Sequence, residues 1–182
     1  LVQMANGGSL AIVSIPDLAD TDEHGHAEVT LIWREPKYDD VWCRARVDWL
    51  PTNPCAPLYD LKTTGLSADP RDWQRRMRDA YRFQAAWYLR GARALGLQPP
   101  AMIFAVAETA PPYGISTMAA APSLLALADA ECDRALATWA RCLSVNDWPG
   151  YPQHTAWVDA APWQLVEAEE QAIRDEIMET AS

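Results

Sequence analysis

The sequence contains no apolar run of the roughly 18–20 residues that a membrane-crossing helix needs, and its first residues show no basic-then-apolar leader pattern. Cysteine is sparse and scattered. The four thiols, at positions 43, 55, 132 and 142, form no CxxC pair and no Cys/His zinc spacing, which excludes a zinc ribbon and an iron–sulfur cluster. They fit the reduced thiols of a cytoplasmic protein. Basic charge is in deficit: the net charge is −10, which argues mildly against nucleic acid as a partner. Lysine is almost absent, with only Lys37 and Lys62, arginine having been used elsewhere. No internal repeat or low-complexity block is found. The chain begins at Leu1 rather than Met and is read as a fragment or a processed product.

What is present suits one globular domain. The chain has 182 residues, of which 49% are apolar and 22% charged, enough to bury a substantial core. Charge is unevenly placed. Arg71, Arg75, Arg76, Arg78, Arg82, Arg90 and Arg93 crowd one segment, and Glu167, Glu169, Glu170, Asp175, Glu176 and Glu179 crowd the C-terminus. A locally basic helix can meet a phosphate backbone even in an acidic protein. Carboxylates gathered to hold a cation also count as negative until it arrives.

Residues 1–26 read as irregular, with Gly7-Gly8, Pro16 and the acidic, histidine-containing stretch Asp20–His26. Strands are expected at Ala27–Arg34 and Val41–Leu50, paired as a hairpin, and at Leu58–Thr64 after the proline-rich loop Pro51–Pro57. Asp69-Pro70 offers a cap and first turn for a helix from Arg71 to about Leu95. On that helix Trp73, Met77, Tyr81, Gln84 and Tyr88 recur at three- and four-residue steps. Gly96 and Pro99-Pro100 end it. Strands Ala101–Thr109 and Tyr113–Ala119 follow, then a helix capped by Ser123 and running to about Leu143. Its inner side is expected to carry Leu124, Leu127, Ala128, Cys132, Leu136 and Trp139. A Trp/Pro-rich stretch over 146–165 leads to an acidic amphipathic helix, Glu167–Thr180. The order β-β-β-α-β-β-α specifies an α/β or α+β domain, a mixed central sheet flanked by helices.

The chemistry concentrates in Asp48 and in Asp60-Leu61-Lys62. Strand alternation puts Asp60 and Lys62 on one face and sends Leu61 to the core on the other. If the second and third strands are neighbours, the two carboxylates converge as an oxygen-rich site for Mg²⁺ or Mn²⁺. Lys62 beside it can orient a water and offset charge building on a phosphate. The same residues could equally be an exposed, weak ion pair beside an edge-strand aspartate. Lysine, a point charge whose pKa burial can tune, is the apt cation for the first reading.

Taken together, Arg46-Val47-Asp48-Trp49-Leu50, then Tyr59-Asp60-Leu61-Lys62-Thr63-Thr64, then Tyr81-x-x-Gln84-x-x-x-Tyr88-Leu89 resembles the RecE (exodeoxyribonuclease VIII) and RecB-like branch of the PD-(D/E)xK nucleases. Stretches Ala105–Tyr113 and Trp148–Tyr151 are also similar to downstream parts of phage and prophage RecE-like proteins, so the resemblance covers about residues 27–165. It implies a restriction-endonuclease-like core over 27–165, an irregular and truncated element over 1–26, and an acidic helix or tail over 166–182. It implies Asp48, Asp60 and the Leu61 carbonyl as Mg²⁺ ligands, with Mn²⁺ able to substitute, and Glu28 as a third carboxylate. Lys62 would be the catalytic lysine, and Gln84 and Tyr88 would support the site and contact DNA. Arg75, Arg78 and Arg82 are candidates for the DNA backbone.

The implied activity is exonucleolytic hydrolysis at linear double-stranded DNA ends during recombination, in the cytoplasm of a bacterium or phage-infected host. The implied partners are DNA, further copies of the chain in an oligomer, and a single-strand annealing protein. No membrane is involved. RecB-like nucleases also carry a histidine on a helix upstream of these strands, whereas His24 and His26 sit in a loop-like stretch. That element is expected to lie outside this sequence, or one of these histidines takes its place, so a catalytically impaired DNA-binding or assembly module stays open beside the exonuclease. An endonuclease of the same superfamily stays open too.

Overall fold

The computed structural model describes residues 25–180. The expected irregular character of the N-terminus lies outside the described residues, apart from Gly25 and His26, which belong to the first strand rather than to a loop. Residues 25–146 form one compact unit, and residues 147–180 form a second.

In the first unit, β1 (Gly25–Glu35), β2 (Val41–Pro51), β3 (Leu58–Thr64), β4 (Met102–Glu108) and β5 (Ile115–Ala119) make a five-stranded sheet in the order β1-β2-β3-β4-β5. The hairpin β1–β2 is antiparallel from Gly25↔Pro51 to Glu35↔Val41. Its turn is the short 3₁₀ segment Pro36–Tyr38, followed by Asp39 and Asp40 in the left-handed region that aspartate tolerates better than most residues. β3 and β4 run parallel from Leu58↔Met102 to Thr64↔Glu108, and β4 and β5 are antiparallel. The parallel pair requires a crossover, and the long helical segment between β3 and β4 supplies it.

That segment is α1 (Pro70–Arg76), a π turn (Met77–Tyr81) and α2 (Arg82–Ala94). Asp69 caps it as the sequence specifies. Its carboxylate accepts from the Arg71 guanidinium and, at 2.8 Å, from the Arg71 backbone N–H, with Pro70 in the first turn, and these bonds to Arg71 hold its pKa down at about 2. Glu108, at the end of β4, accepts from the N–H groups of Ala68 and Gly114, both at 2.9 Å, and so clamps the helix start against the β4–β5 turn. Its pKa is lowered by the same two bonds.

One face of the sheet, with Leu31, Trp33, Cys43, Ala45, Val47, Leu58, Phe104 and Val106 buried, packs beneath α1 and α2. Gly91 lets α2 come close, since a Cβ there would stand 2.5 Å from the Trp33 ring. The opposite face exposes Ile32, Trp42 and Leu61.

The helix α3 (Pro122–Val145) covers the outer side of α2. Small residues set that contact: Ala128 and Cys132 bury against Ala86. Two features differ from the sequence expectation. The helix starts at Pro122 with no side-chain cap, so Ser123 lies inside the first turn. The buried stripe is Ala128, Cys132, Leu136 and Ala140, while Leu127 and Trp139 are more than half exposed. Both are apolar, but the four-residue stripe leaves them beside the contact rather than in it. Charge pairs reinforce the packing. Arg82 binds Glu131, and Arg90 binds Asp129 and Asp133, each with a contact at 2.7–2.8 Å.

In the second unit, α4 (Pro162–Thr180) begins five residues before the expected start, with proline again in its first turn. Among the described residues no helix is long and apolar enough to cross a membrane.

Candidate active site

The site forms where β2 and β3 part. The two strands pair only through Trp49↔Tyr59. Continuing that antiparallel register by one step brings Asp48 level with Asp60. Beyond it α2 takes the place of a strand neighbour, and Trp87 Nε1 donates to the main-chain carbonyl of Arg44 at 3.0 Å. Asp48 Oδ2 accepts from the backbone N–H of Leu61 at 2.8 Å, so one carboxylate spans the gap between the strands.

Asp60 is 2% exposed and lies on the helix-covered face, whereas Leu61 is 49% exposed on the other. This reverses the expected assignment of Leu61 to the core. Alternation holds, but the tertiary structure buries the charged pair and exposes the leucine. Lys62 Nζ stands 2.5 Å from Asp60 Oδ2. The ammonium also faces the rings of Tyr81, at 5.1 Å, and Phe104, at 5.7 Å, a cradle that favours a desolvated cation. Gln84 Nε2 donates to Asp60 Oδ1 at 2.5 Å.

The π turn helps set this geometry. The Arg82 N–H bonds to the Met77 carbonyl, five residues back, which widens the helix by one residue just before Gln84. Tyr81, at the end of the turn, stacks on Trp73 at 5.7 Å and reaches over Lys62. Neither the ring cradle nor the wide turn was found from sequence. Tyr81 did fall in the apolar stripe, which was the available signal.

Burial raises the Asp60 pKa above the ordinary 3.8, and Asp48 pushes the same way; the Lys62 ammonium and the Gln84 amide oppose them without prevailing. Native Asp60 therefore keeps its proton to higher pH than in the unfolded chain. Its stabilising share is full below 3.8 and is lost as pH rises through the raised native value. Ionised Asp60 is under-compensated at neutral pH, and a cation would relieve that. If Asp60 helps to hold Mg²⁺, any gain in melting temperature from that ion should vanish as pH falls through the raised Asp60 value and reach a plateau above it. A melting series over pH, with and without Mg²⁺, checks this; a gain independent of pH would remove Asp60 from the cation site.

The donor chemistry fits such an ion. Asp60 Oδ2 is buried with no hydrogen-bond donor aligned on it, and its close partner is the Lys62 charge. Two carboxylates and a main-chain carbonyl are hard oxygen donors. Mg²⁺ commonly takes one or two carboxylates and completes its shell with water and phosphate. Among the described residues no three His, Cys, Asp or Glu side chains gather as a metal site. Glu28 is instead paired with Arg46, at 2.6 Å, on the surface.

The remaining predicted residues are dispersed. Tyr88 lines a cavity with Thr30, Arg44, Ala45 and Arg46. Arg75 is exposed and pairs with Asp79 at 3.4 Å, and Arg78 is exposed on the π turn. Arg82 is committed to Glu131 through three hydrogen bonds, which makes it a tie between α2 and α3. His26 is exposed in β1, and His24 lies outside the described residues.

A mixed sheet that presents one aspartate from β2 and an Asp-x-Lys from β3, supported by a helical glutamine, defines the PD-(D/E)xK nuclease superfamily fold. Residues 18–161 match the family described as PDDEXK-like domain of unknown function (DUF3799), and the chain belongs to that family. The crystal structure of a proposed exonuclease from Eubacterium rectale is similar to it, with 13% identity and a TM-score of 0.49. The match covers 84% of this chain and 63% of that one, so this chain spans less than two thirds of that protein's length. No curated protein matches the chain.

Proposed function

We propose that the chain is a divalent-metal-dependent deoxyribonuclease, acting as an exonuclease on linear double-stranded DNA ends. The observation that carries this is the buried Asp60 carboxylate, held between Lys62 and Gln84 and level with Asp48 where β2 and β3 separate. Membership of a PDDEXK-like family supports it.

Asp48, Asp60 and the Leu61 carbonyl would hold Mg²⁺, or Mn²⁺ in its place. When bound, such an ion polarises a phosphate and acidifies a water. The chain's own residues do the rest. Gln84 fixes the Asp60 carboxylate by its amide. Lys62, screened from water by Tyr81 and Phe104, presents a positive charge where a phosphorane-like transition state accumulates negative charge. The N–H of Leu61 orients Asp48. Arg75 and Arg78, exposed on the outer side of the helix, supply basic charge toward a DNA backbone in an otherwise acidic protein.

The test is degradation of one plasmid sequence in linear and covalently closed circular form, with Mg²⁺ and with chelator. The expected result is Mg²⁺-dependent loss of the linear form only. Cleavage of the circle would make it an endonuclease, and no cleavage of either would overturn the nuclease reading.

A further inference from the structure

The strand that supplies Asp48 carries a second constellation. Arg44, Arg46 and Asp48 alternate onto the same side of the strand. Arg44 and Arg46, with Thr30 of β1 and Tyr88 of α2, line a cavity of about 410 Å³. Thr30 is the register partner of Arg46. The lining residues are two arginines, a threonine, a tyrosine and Ala45, with no acidic residue among them. That is a donor set for an anion, and the planar fork of arginine suits phosphate oxygens. Successive same-side residues of a strand are about 7 Å apart. Arg46 thus stands one such step from Asp48, comparable with the separation of consecutive phosphates along a DNA strand. Gln84 and Tyr88, one helical turn apart, would serve two places: the first holds Asp60, and the second closes the arginine cavity.

One acidic group touches this arrangement. Glu28 Oε2 lies 2.6 Å from Arg46 Nε. Both side chains are more than half exposed, so this contact is open to exchange with another anion. The Glu28 backbone is unusual, with φ of 58° in the middle of β1. The ladder skips it, running from Ala27↔Trp49 to Val29↔Val47. A glutamate in left-handed backbone inside a strand is disfavoured on its own, and such positions cluster where a side chain has a task.

We propose that Arg44 and Arg46 form a phosphate-binding subsite for the DNA strand next to the scissile position, and that the Glu28 carboxylate stands in for that phosphate until substrate displaces it. The subsite rests on the nuclease reading above. It gives Glu28 a role as competitor for Arg46 and not as a metal ligand.

Anisotropy of a fluorescein-labelled linear duplex, titrated with the full chain in calcium buffer over a sodium chloride series, tests this. Arg44→Gln/Arg46→Gln should raise Kd about tenfold or more and flatten the log Kd against log salt slope by roughly 1–2, since each lost phosphate contact removes about 0.9. Glu28→Gln keeps the side-chain size and should tighten binding about threefold while leaving the Mg²⁺-induced melting shift unchanged. A double variant that melts like the wild type and binds with its affinity and salt slope would overturn the subsite. Loss of the Mg²⁺ shift in Glu28→Gln would overturn the stand-in and return Glu28 to the metal. If the wild type cleaves DNA but the arginine variants bind as it does, the subsite alone fails. If the wild type neither cleaves nor binds, both readings fail.

Discussion

Replacing Lys62 by alanine is expected to lower the rate of the proposed Mg²⁺-dependent DNA hydrolysis by about 10²–10³-fold, the scale set by removing one preorganised charge-stabilising group. The ammonium sits 2.5 Å from a buried carboxylate between two aromatic rings, so its charge is poorly screened and little reorganises when the transition state forms. The same replacement strips Asp60 of its close counter-charge, and leaving a buried charge without a partner is destabilising. Without metal, Lys62→Ala should melt lower than the wild type. With Mg²⁺ it should recover more than the wild type gains, because the ion becomes the principal compensation for Asp60. This larger metal response separates a lysine acting at the cation site from one that merely supports the fold. Single-turnover rates and paired melting curves with Mg²⁺ and with chelator measure the two effects. A variant with wild-type rate would remove Lys62 from the chemistry.

The second large effect is structural and reaches the site through packing. Phe104 is fully buried at the centre of β4, the register partner of Asp60, in ring contact with Tyr81 at 5.6 Å and facing Lys62. Phe104→Ala should cost about 3–5 kcal/mol of stability, from lost apolar transfer and the cavity left behind. In a domain of this size that lowers the melting temperature by roughly 10 °C. Activity measured well below the new transition should also fall, because water entering the cavity weakens the field at Lys62 and releases Tyr81. Phe104→Leu, which refills most of the volume without the ring, should recover most of the stability and only part of the rate. Urea titration of both variants beside the wild type checks the ranking. Full recovery of rate in Phe104→Leu would show that the ring itself contributes nothing to the lysine.

Much of this was legible along the chain because the determinants are local. Asp69-Pro70 fixes a helix start by a bond two residues long, and the pattern of β-formers, prolines and glycines places five strands and the crossover helix. The Asp-x-Lys spacing puts Asp60 and Lys62 on one face by strand geometry alone. Gln84 came from the resemblance of Gln84-x-x-x-Tyr88 to the family's helix motif; the stripe that begins at Trp73 placed it on the helix but gave it no role. The failures have a common cause. Leu61 was assigned to the core by hydrophobicity, yet two-residue alternation says only that it opposes Asp60, not which side the helices cover. Ser123 is a good cap in isolation, but Pro122 before it already fits the first turn. Trp139 and Leu127 are apolar, but the contact with α2 selects alanines and cysteine because the helices approach closely.

Sequence by itself determined the elements, their order and the shared face of Asp60 and Lys62, since each follows from bonds and periodicities spanning a few residues. Tertiary structure alone decided that β2 and β3 separate after one pair, that a π turn aims Tyr81 and Gln84 into the gap, and that Glu28 faces Arg46. The parting of the strands goes with α2 standing against β2, where Trp87 bonds to the Arg44 carbonyl, a contact between residues far apart in sequence that local spacing does not record.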